Sequence, residues 1–196
     1  MTVIRCTQAL SAASGAVALA TAIFLAASRS GVWINVSPSL PLGIYRVDPR
    51  PPVRGSVVLL CLPLAVGRMA RERGYVGPGP CPGGAGRLGK IVAAVAGDTV
   101  DVEATGVTIN GCPIASSAPV AHDRAGRPLA HVAPGPWVVP AGTIFLLATR
   151  HPLSFDSRYY GVVPTGAVYS VLSAVLRSVS LVSTGIASGS SSCSSR

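Results

Sequence analysis

From Ala9 to Ser28 the chain carries no charged residue, and Ala, Leu, Val, Ile and Phe dominate. About 20 such residues at ~1.5 Å rise per residue match a hydrocarbon core of ~30 Å, which predicts a membrane-spanning helix over 9–28. Arg5 precedes the stretch and Arg29 follows it, so flanking charge does not set its orientation. The competing reading is a cleavable signal peptide ending at Ala26-Ala27-Ser28; the length favours a retained anchor.

Beyond Trp33 the pattern changes to short apolar runs cut by Gly and Pro. Val57–Leu62, Ile91–Val95, Val100–Glu103, Val107–Ile109 and Ile144–Leu147 are predicted strands. Ala104-Thr105-Gly106 joins two of them as a hairpin, and Asn110-Gly111 closes the next turn. Regular short strands with turn residues between them predict a mostly β domain. Gly67–Gly89 reads as a surface loop with one helical turn around Arg68–Arg73, and Ala115–Pro136 as a second long connection. Ala167–Ile186 is moderately apolar with Arg177 near its middle; it reads either as an amphipathic helix or as a final strand and linker, since an intramembrane arginine is costly. The Ser/Gly-rich end, 187–196, is expected to be disordered.

Composition sharpens this picture. Charged residues are only 12% of the chain, about half the ~25% usual for a soluble domain, which again places part of it in or on a membrane. The net charge of +9 raises nucleic-acid binding. The arginines are scattered, however, and no aromatic series offers bases a stacking platform, so anionic lipid is the expected counter-surface, with no direct nucleic-acid partner. Of the 16 basic side chains, 15 are Arg and one is Lys90. Guanidinium stays protonated in proteins, whereas a buried amine can fall towards neutrality. A lone lysine in so arginine-biased a chain is either a chance survivor or a position kept for base chemistry.

Five cysteines are an odd set. Cys61 and Cys81 flank the Gly67–Gly89 segment and would close it by a disulfide in an extracytoplasmic domain; unpaired thiols are the alternative. No paired Cys/His spacing suggests a metal, and no cofactor is expected. His122, His131 and His151 lie in Pro- and Gly-containing connections outside any triad motif and read as surface residues.

Three segments carry the chemistry: Asn35-Val36-Ser37-Pro38-Ser39-Leu40-Pro41-Leu42-Gly43-Ile44-Tyr45, Gly89-Lys90 through Gly97-Asp98, and Ser154-Phe155-Asp156-Ser157-Arg158-Tyr159-Tyr160-Gly161. A serine hydroxyl needs a base to take its proton, and a desolvated lysine performs that task where no histidine is placed for it. The apolar run Ile91–Val95 beside Lys90 would supply the desolvation.

These segments resemble the boxes of the type I signal peptidases (the S26 family). Ser39-Leu40-Pro41 is similar to their Ser-x-Pro, Lys90 to Gly97-Asp98 matches their Lys-to-Gly-Asp spacing without a gap, and Ser154-x-Asp156-Ser157-Arg158-Tyr159 with Gly161 resembles their third box. The match covers roughly residues 30 to 165. Within the family the chain most resembles the TraF-type peptidases of conjugative transfer, through the Asn35…Ser39-x-Pro-x-Gly43-x-Tyr45 opening, Cys61-x-Pro63, and the Arg73-Gly74-Tyr75…Cys81-Pro82-Gly83-Gly84 loop. It departs from housekeeping signal peptidases at Ala148-Thr149-Arg150-His151, where they carry Gly-Asp-Asn.

The resemblance implies a signal-peptidase-like β-fold behind one N-terminal transmembrane helix. Its parts would be a cytoplasmic N-terminus (1–8), an anchor (9–28), a periplasmic Ser–Lys peptidase domain (29–170) and a C-terminal extension (171–196), at the bacterial inner membrane. Ser39 would be the nucleophile and Lys90 its general base. Ser37 would join the Ser39 N–H in an oxyanion hole, Ser154 would orient the lysine amine, and Asp156 with Arg158 would form a supporting ion pair. Asp156 carries two readings, a direct catalytic part and a structural salt bridge. The implied substrate is a pilin or other exported precursor, cut and then hydrolysed or cyclised, with type IV secretion components of conjugation as partners. The alternatives are a general type I signal peptidase and a non-catalytic β scaffold tethered in a secretion channel.

Overall fold

Strands from both ends of the chain meet in the main sheet of the computed structural model, which describes Thr21 and residues 31–177. β1 (Val32–Asn35) pairs with β2 (Gly43–Asp48), Val32 opposite Arg46 and Asn35 opposite Gly43. β3 (Val57–Leu60) leads into helix α1 (Leu64–Glu72), the short strand β4 (Pro78–Cys81) and then β5 (Leu88–Val95). β6 (Thr99–Glu103), β7 (Gly106–Ile109) and β8 (Cys112–Ile114) form a meander. β9 (Trp137–Val138), β10 (Thr143–Leu147), the one-turn helix α2 (Ser157–Tyr160), β11 (Val163–Pro164) and β12 (Val168–Arg177) complete the order. A seven-stranded antiparallel sheet runs β1-β2-β12-β3-β5-β10-β11, and a four-stranded one runs β8-β7-β6-β9.

The mostly β expectation is met, and the details differ in the first strands, around α1 and in the last strand. Residues 32–35 and 43–48, which carry no strand prediction, are β1 and β2. The helical turn expected around Arg68–Arg73 is a nine-residue helix over 64–72, and 78–81, expected as loop, is a strand. Gly67 sits at the close approach of this helix to the next turn, where a Cβ would meet the Pro82 carbonyl oxygen at 3.4 Å. Of the two readings of 167–186, residues 168–177 take the strand form and lie in mid-sheet between β2 and β3, past the domain boundary drawn at residue 170. The 9–28 span, apart from Thr21, and the 187–196 tail lie outside the described residues; no helix among the described residues is long and apolar enough to cross a membrane.

Local chemistry accounts for the turns. Asn110 and Gly111, with φ of 53° and 76°, make the two-residue connection of β7 to β8, a geometry suited to the strand twist. Asp98 caps the β5–β6 turn, accepting from the Val95 N–H (2.8 Å) and Asn110 Nδ2 (3.0 Å) and pairing with Arg54. Burial pushes its carboxyl up, but the Asn110 and Val95 hydrogen bonds and Arg54 outweigh that and hold it low. The Gly-Asp of the second box is thus a turn lock between the two sheets.

Packing places the core on both sides of β5 and β10. Val58, Leu60, Leu62, Val92, Leu146 and Phe155 form one cluster under α1, and Val100, Val102, Val107 and Phe145 form another against the small sheet. A Cys61–Cys81 disulfide, with Cα atoms 5.4 Å apart, closes the segment that contains α1. A loop of that length is worth roughly 3 kcal/mol in the chain-entropy model.

Candidate active site

Lys90 lies on β5, whose residues alternate strictly between buried and half-buried positions. Leu88, Lys90 and Val92 share one buried face, and the register shift before Ala94 turns that residue to the other cluster, so the pleat places the only lysine of the chain where an apolar side chain is expected. Its side chain is 3% exposed. Burial pushes the amine down to about 8; the Asp156 carboxylate opposes this and Arg158 adds to it. Among the described residues no hydrogen bond reaches the Lys90 amine, an arrangement that favours its neutral form.

Ser39 sits in the turn between β1 and β2. Asn35, at the end of β1 and 3% exposed, shapes that turn from inside. Its Nδ2 donates to the carbonyls of Ser37 (2.9 Å), Leu40 (3.0 Å) and Pro41 (3.0 Å), and its Oδ1 accepts from the Ser37 N–H (3.0 Å). Tyr45, wholly buried on β2, donates its hydroxyl to the Pro41 carbonyl at 2.8 Å. Next to Lys90, Gly89 provides room for the serine turn: a Cβ there would stand 2.7 Å from Leu40 Cδ1 and 3.2 Å from the Trp33 ring. Asn35 and Tyr45 belong to the first box, but nothing in the sequence alone marks their task. Asn35→Ala should leave several backbone groups unpaired at the turn; each such group costs ~1–3 kcal/mol. We expect a fall in kcat with a smaller change in KM, measured by steady-state kinetics, with Asn35→Asp failing to restore the donors.

Ser39 Oγ is hydrogen-bonded to Ser154 Oγ at 2.9 Å. Ser154, expected to orient the lysine, thus contacts Ser39. The Ser39 N–H donates to Ser37 Oγ at 3.4 Å, a long bond between the two groups expected to hold an oxyanion. An arriving carbonyl oxygen can displace so weak a contact and collect both donors. Ser37, Ser39, Lys90 and Ser154 all line one cleft of about 570 Å³, and the half-buried His151 lines it too. His151 Nδ1 accepts the Leu153 N–H at 3.2 Å.

Asp156 and Arg158 are fully buried and paired in a bidentate manner, Nε to Oδ1 and Nη2 to Oδ2, each at 2.8 Å. Asp156 also accepts the Ala148 N–H (3.0 Å) and the Arg158 N–H (3.2 Å), which occupies its four acceptor positions. Arg158 spends further donors on the carbonyls of Ser154 (3.1 Å) and Ala118 (3.0 Å). The pair therefore fixes the backbone that presents Ser154, and its carboxylate acts on Lys90 through its field.

Ser39 and the buried Lys90 thus line one cleft. The model for signal peptidase, peptidase S26, matches residues 4–176. The chain belongs to the signal peptidase S26 family. Among curated S26-like relatives, the plasmid transfer protein TraF of Escherichia coli is 36% identical over 168 residues, covering 84% of this chain and 94% of its own length. A probable conjugal transfer protein TraF of Sinorhizobium fredii is 40% identical over 156 residues, 77% of this chain and 80% of that protein. Among solved structures, a signal peptidase I from Enterococcus faecalis aligns over 64% of this chain and all of its own, at 20% identity and a TM-score of 0.38.

Proposed function

We propose that this S26 member is a membrane-anchored serine endopeptidase that cleaves a pilin precursor for conjugative DNA transfer, at the periplasmic face of the bacterial inner membrane. The observation that carries the reading is the single lysine, buried and depressed in basicity, in the wall of the cleft into which Ser39 opens. The conjugal-transfer relatives support the conjugative setting, and a pilin is the substrate that the family resemblance implies.

In this reading the neutral Lys90 amine takes the Ser39 proton as Oγ bonds to the scissile carbonyl carbon. Ser154, already on Ser39 Oγ, holds the hydroxyl for that transfer. Negative charge moves to the carbonyl oxygen and is held by the Ser37 hydroxyl and the Ser39 N–H; one such donor is typically worth ~2.7–4 kcal/mol. The tetrahedral intermediate collapses, the Lys90 ammonium returns its proton to the departing amine, and an ester remains on Ser39. Water or the substrate's own N-terminal amine then resolves it. Asp156 and Arg158 are positioning residues.

Membranes carrying the chain should convert a pilin precursor to a shorter product, seen by mass spectrometry, and the Ser39→Ala chain should not. A cyclised product is lighter by one water than the linear one. Processing of ordinary exported precursors in preference to the pilin would transfer the assignment to general signal peptidase, and full processing by Ser39→Ala would reject the mechanism.

A further inference from the structure

Four arginines line the cleft, Arg73, Arg87, Arg124 and Arg127, against one carboxylate, Asp123. They fall into two kinds. Asp123, with a side chain 3% exposed, accepts from Tyr75 Oη (2.7 Å), Arg127 Nε (2.7 Å) and the Ala125 and Arg127 N–H groups (2.9 Å each). Arg127 Nη2 donates to the Arg73 carbonyl and Arg73 Nη1 to the Pro128 carbonyl. These residues tie one wall of the cleft to the other, and Asp123 has no acceptor left for a ligand.

Arg87 and Arg124 are different. Both are exposed, and among the described residues neither donates a hydrogen bond or faces a carboxylate. Arg87 lies over the Tyr169 ring, its guanidinium carbon 3.6 Å from the centroid. Stacking holds the plane flat while leaving the N–H fork at its edge free, the geometry that grips a carboxylate with two parallel bonds. Arg87 stands three residues before Lys90 along extended chain, roughly 10 Å at ~3.3 Å per residue. An extended peptide with its scissile bond at Ser39 would cover that distance with about three residues.

We propose that Arg87, laid on Tyr169 and assisted by Arg124, recognises a carboxylate of the substrate a few residues from the scissile bond, so that the cleft selects an acidic peptide. The inference rests on the peptidase reading of the cleft. The carboxylate is either an Asp or Glu side chain or the free C-terminus of a short leaving segment. An anionic lipid headgroup has the same charge, but these arginines line the cleft that holds Ser39 and Lys90, which favours the peptide.

The test uses the full-length Ser39→Ala chain in uncharged-lipid nanodiscs and fluorescent Ala-rich peptides with a single Glu, scanned through four positions on each side of the centre. Each has a Gln counterpart, and a further pair differs only in a C-terminal acid or amide. At one position, or at the terminus, the charged peptide should bind ~10-fold tighter than its neutral partner, the size expected of a charge-assisted bidentate contact. Arg87→Gln should abolish that preference, Arg87→Lys and Tyr169→Leu should weaken it, and thermal melts should be unchanged in all three. Equal binding of charged and neutral peptides at every position overturns the proposal, as does a preference untouched by Arg87→Gln. Loss of binding to anionic vesicles in Arg87→Gln, without any peptide preference, would reassign the site to lipid. Cleavage by the Ser39 chain is measured in parallel: cleavage without preference sinks only the inference, and preference in binding without cleavage sinks only the peptidase reading.

Discussion

Lys90→Arg is expected to abolish cleavage as completely as Ser39→Ala, by roughly 10⁴-fold or more, the scale seen when a serine or its base is removed. Arginine keeps the charge and most of the length but does not give up its proton, so a result this severe separates a base from a mere cation. Lys90→Met should be equally inactive and yet more stable. The amine falls from roughly 10.4 in the unfolded chain to about 8 in the fold, and each unit is worth ~1.36 kcal/mol. Burying the ammonium therefore costs on the order of 3 kcal/mol at neutral pH.

The sign follows from proton counts. Below pH ~8 both states hold the proton and the cost is fully present. Between ~8 and ~10.4 the unfolded chain binds one proton more, so stability rises with pH, and above that range the contribution vanishes. The gap between Lys90→Met and the parent chain, followed by denaturant unfolding, should be widest at pH 7 and close by pH ~10.5. A parent chain as stable as Lys90→Met at pH 7 would mean that the lysine is not desolvated. The pH–rate profile of the active chain should rise with a midpoint near 8, as the amine loses its proton.

The second large effect concerns the third box. Arg158→Met should destabilise the fold by ~3–5 kcal/mol, because it strands a buried carboxylate that had four partners. Removing both charges together, as in Asp156→Leu with Arg158→Met, should recover much of that loss, since a buried ion pair is often no more stable than an apolar replacement. Activity should not recover in step. The double variant lacks the Arg158 bond to the Ser154 carbonyl and the Asp156 field on Lys90, so kcat should stay low with a shifted pH midpoint. Full activity in the refolded double variant would show that the pair has no part in presenting Ser154.

What could be read from the chain divides along the line between local and distant interactions. The β6–β7 hairpin and the Asn110-Gly111 turn after it were legible because alternation and turn chemistry act within a few residues, whereas the three-residue β8 was too short to predict. The central place of β12 was not legible, since its partners in β2 and β3 lie far away in sequence; β1 and β2 form a local hairpin, but each is a short mixed segment without a strand's alternation. α1 was read only as one turn around Arg68–Arg73, because Gly67 weakens helix propensity there and is explained only by packing against the Pro82 turn. At the site, Ser39, Lys90 and Ser154 were visible as compact motifs, and the lone lysine stood out by composition. The Asn35 clamp needed coordinates, as did the contact of Gly89 with Leu40 and the stacking of Arg87 on Tyr169, because each is a meeting of side chain with distant backbone or ring.

Because Lys90 is the only lysine, its amine can be followed alone. Full-length chain grown with lysine labelled at the ε-carbon should show a single side-chain NMR signal titrating with a midpoint near 8. A midpoint at ~10.4, the value of a lysine in open water, would contradict a base made ready by burial.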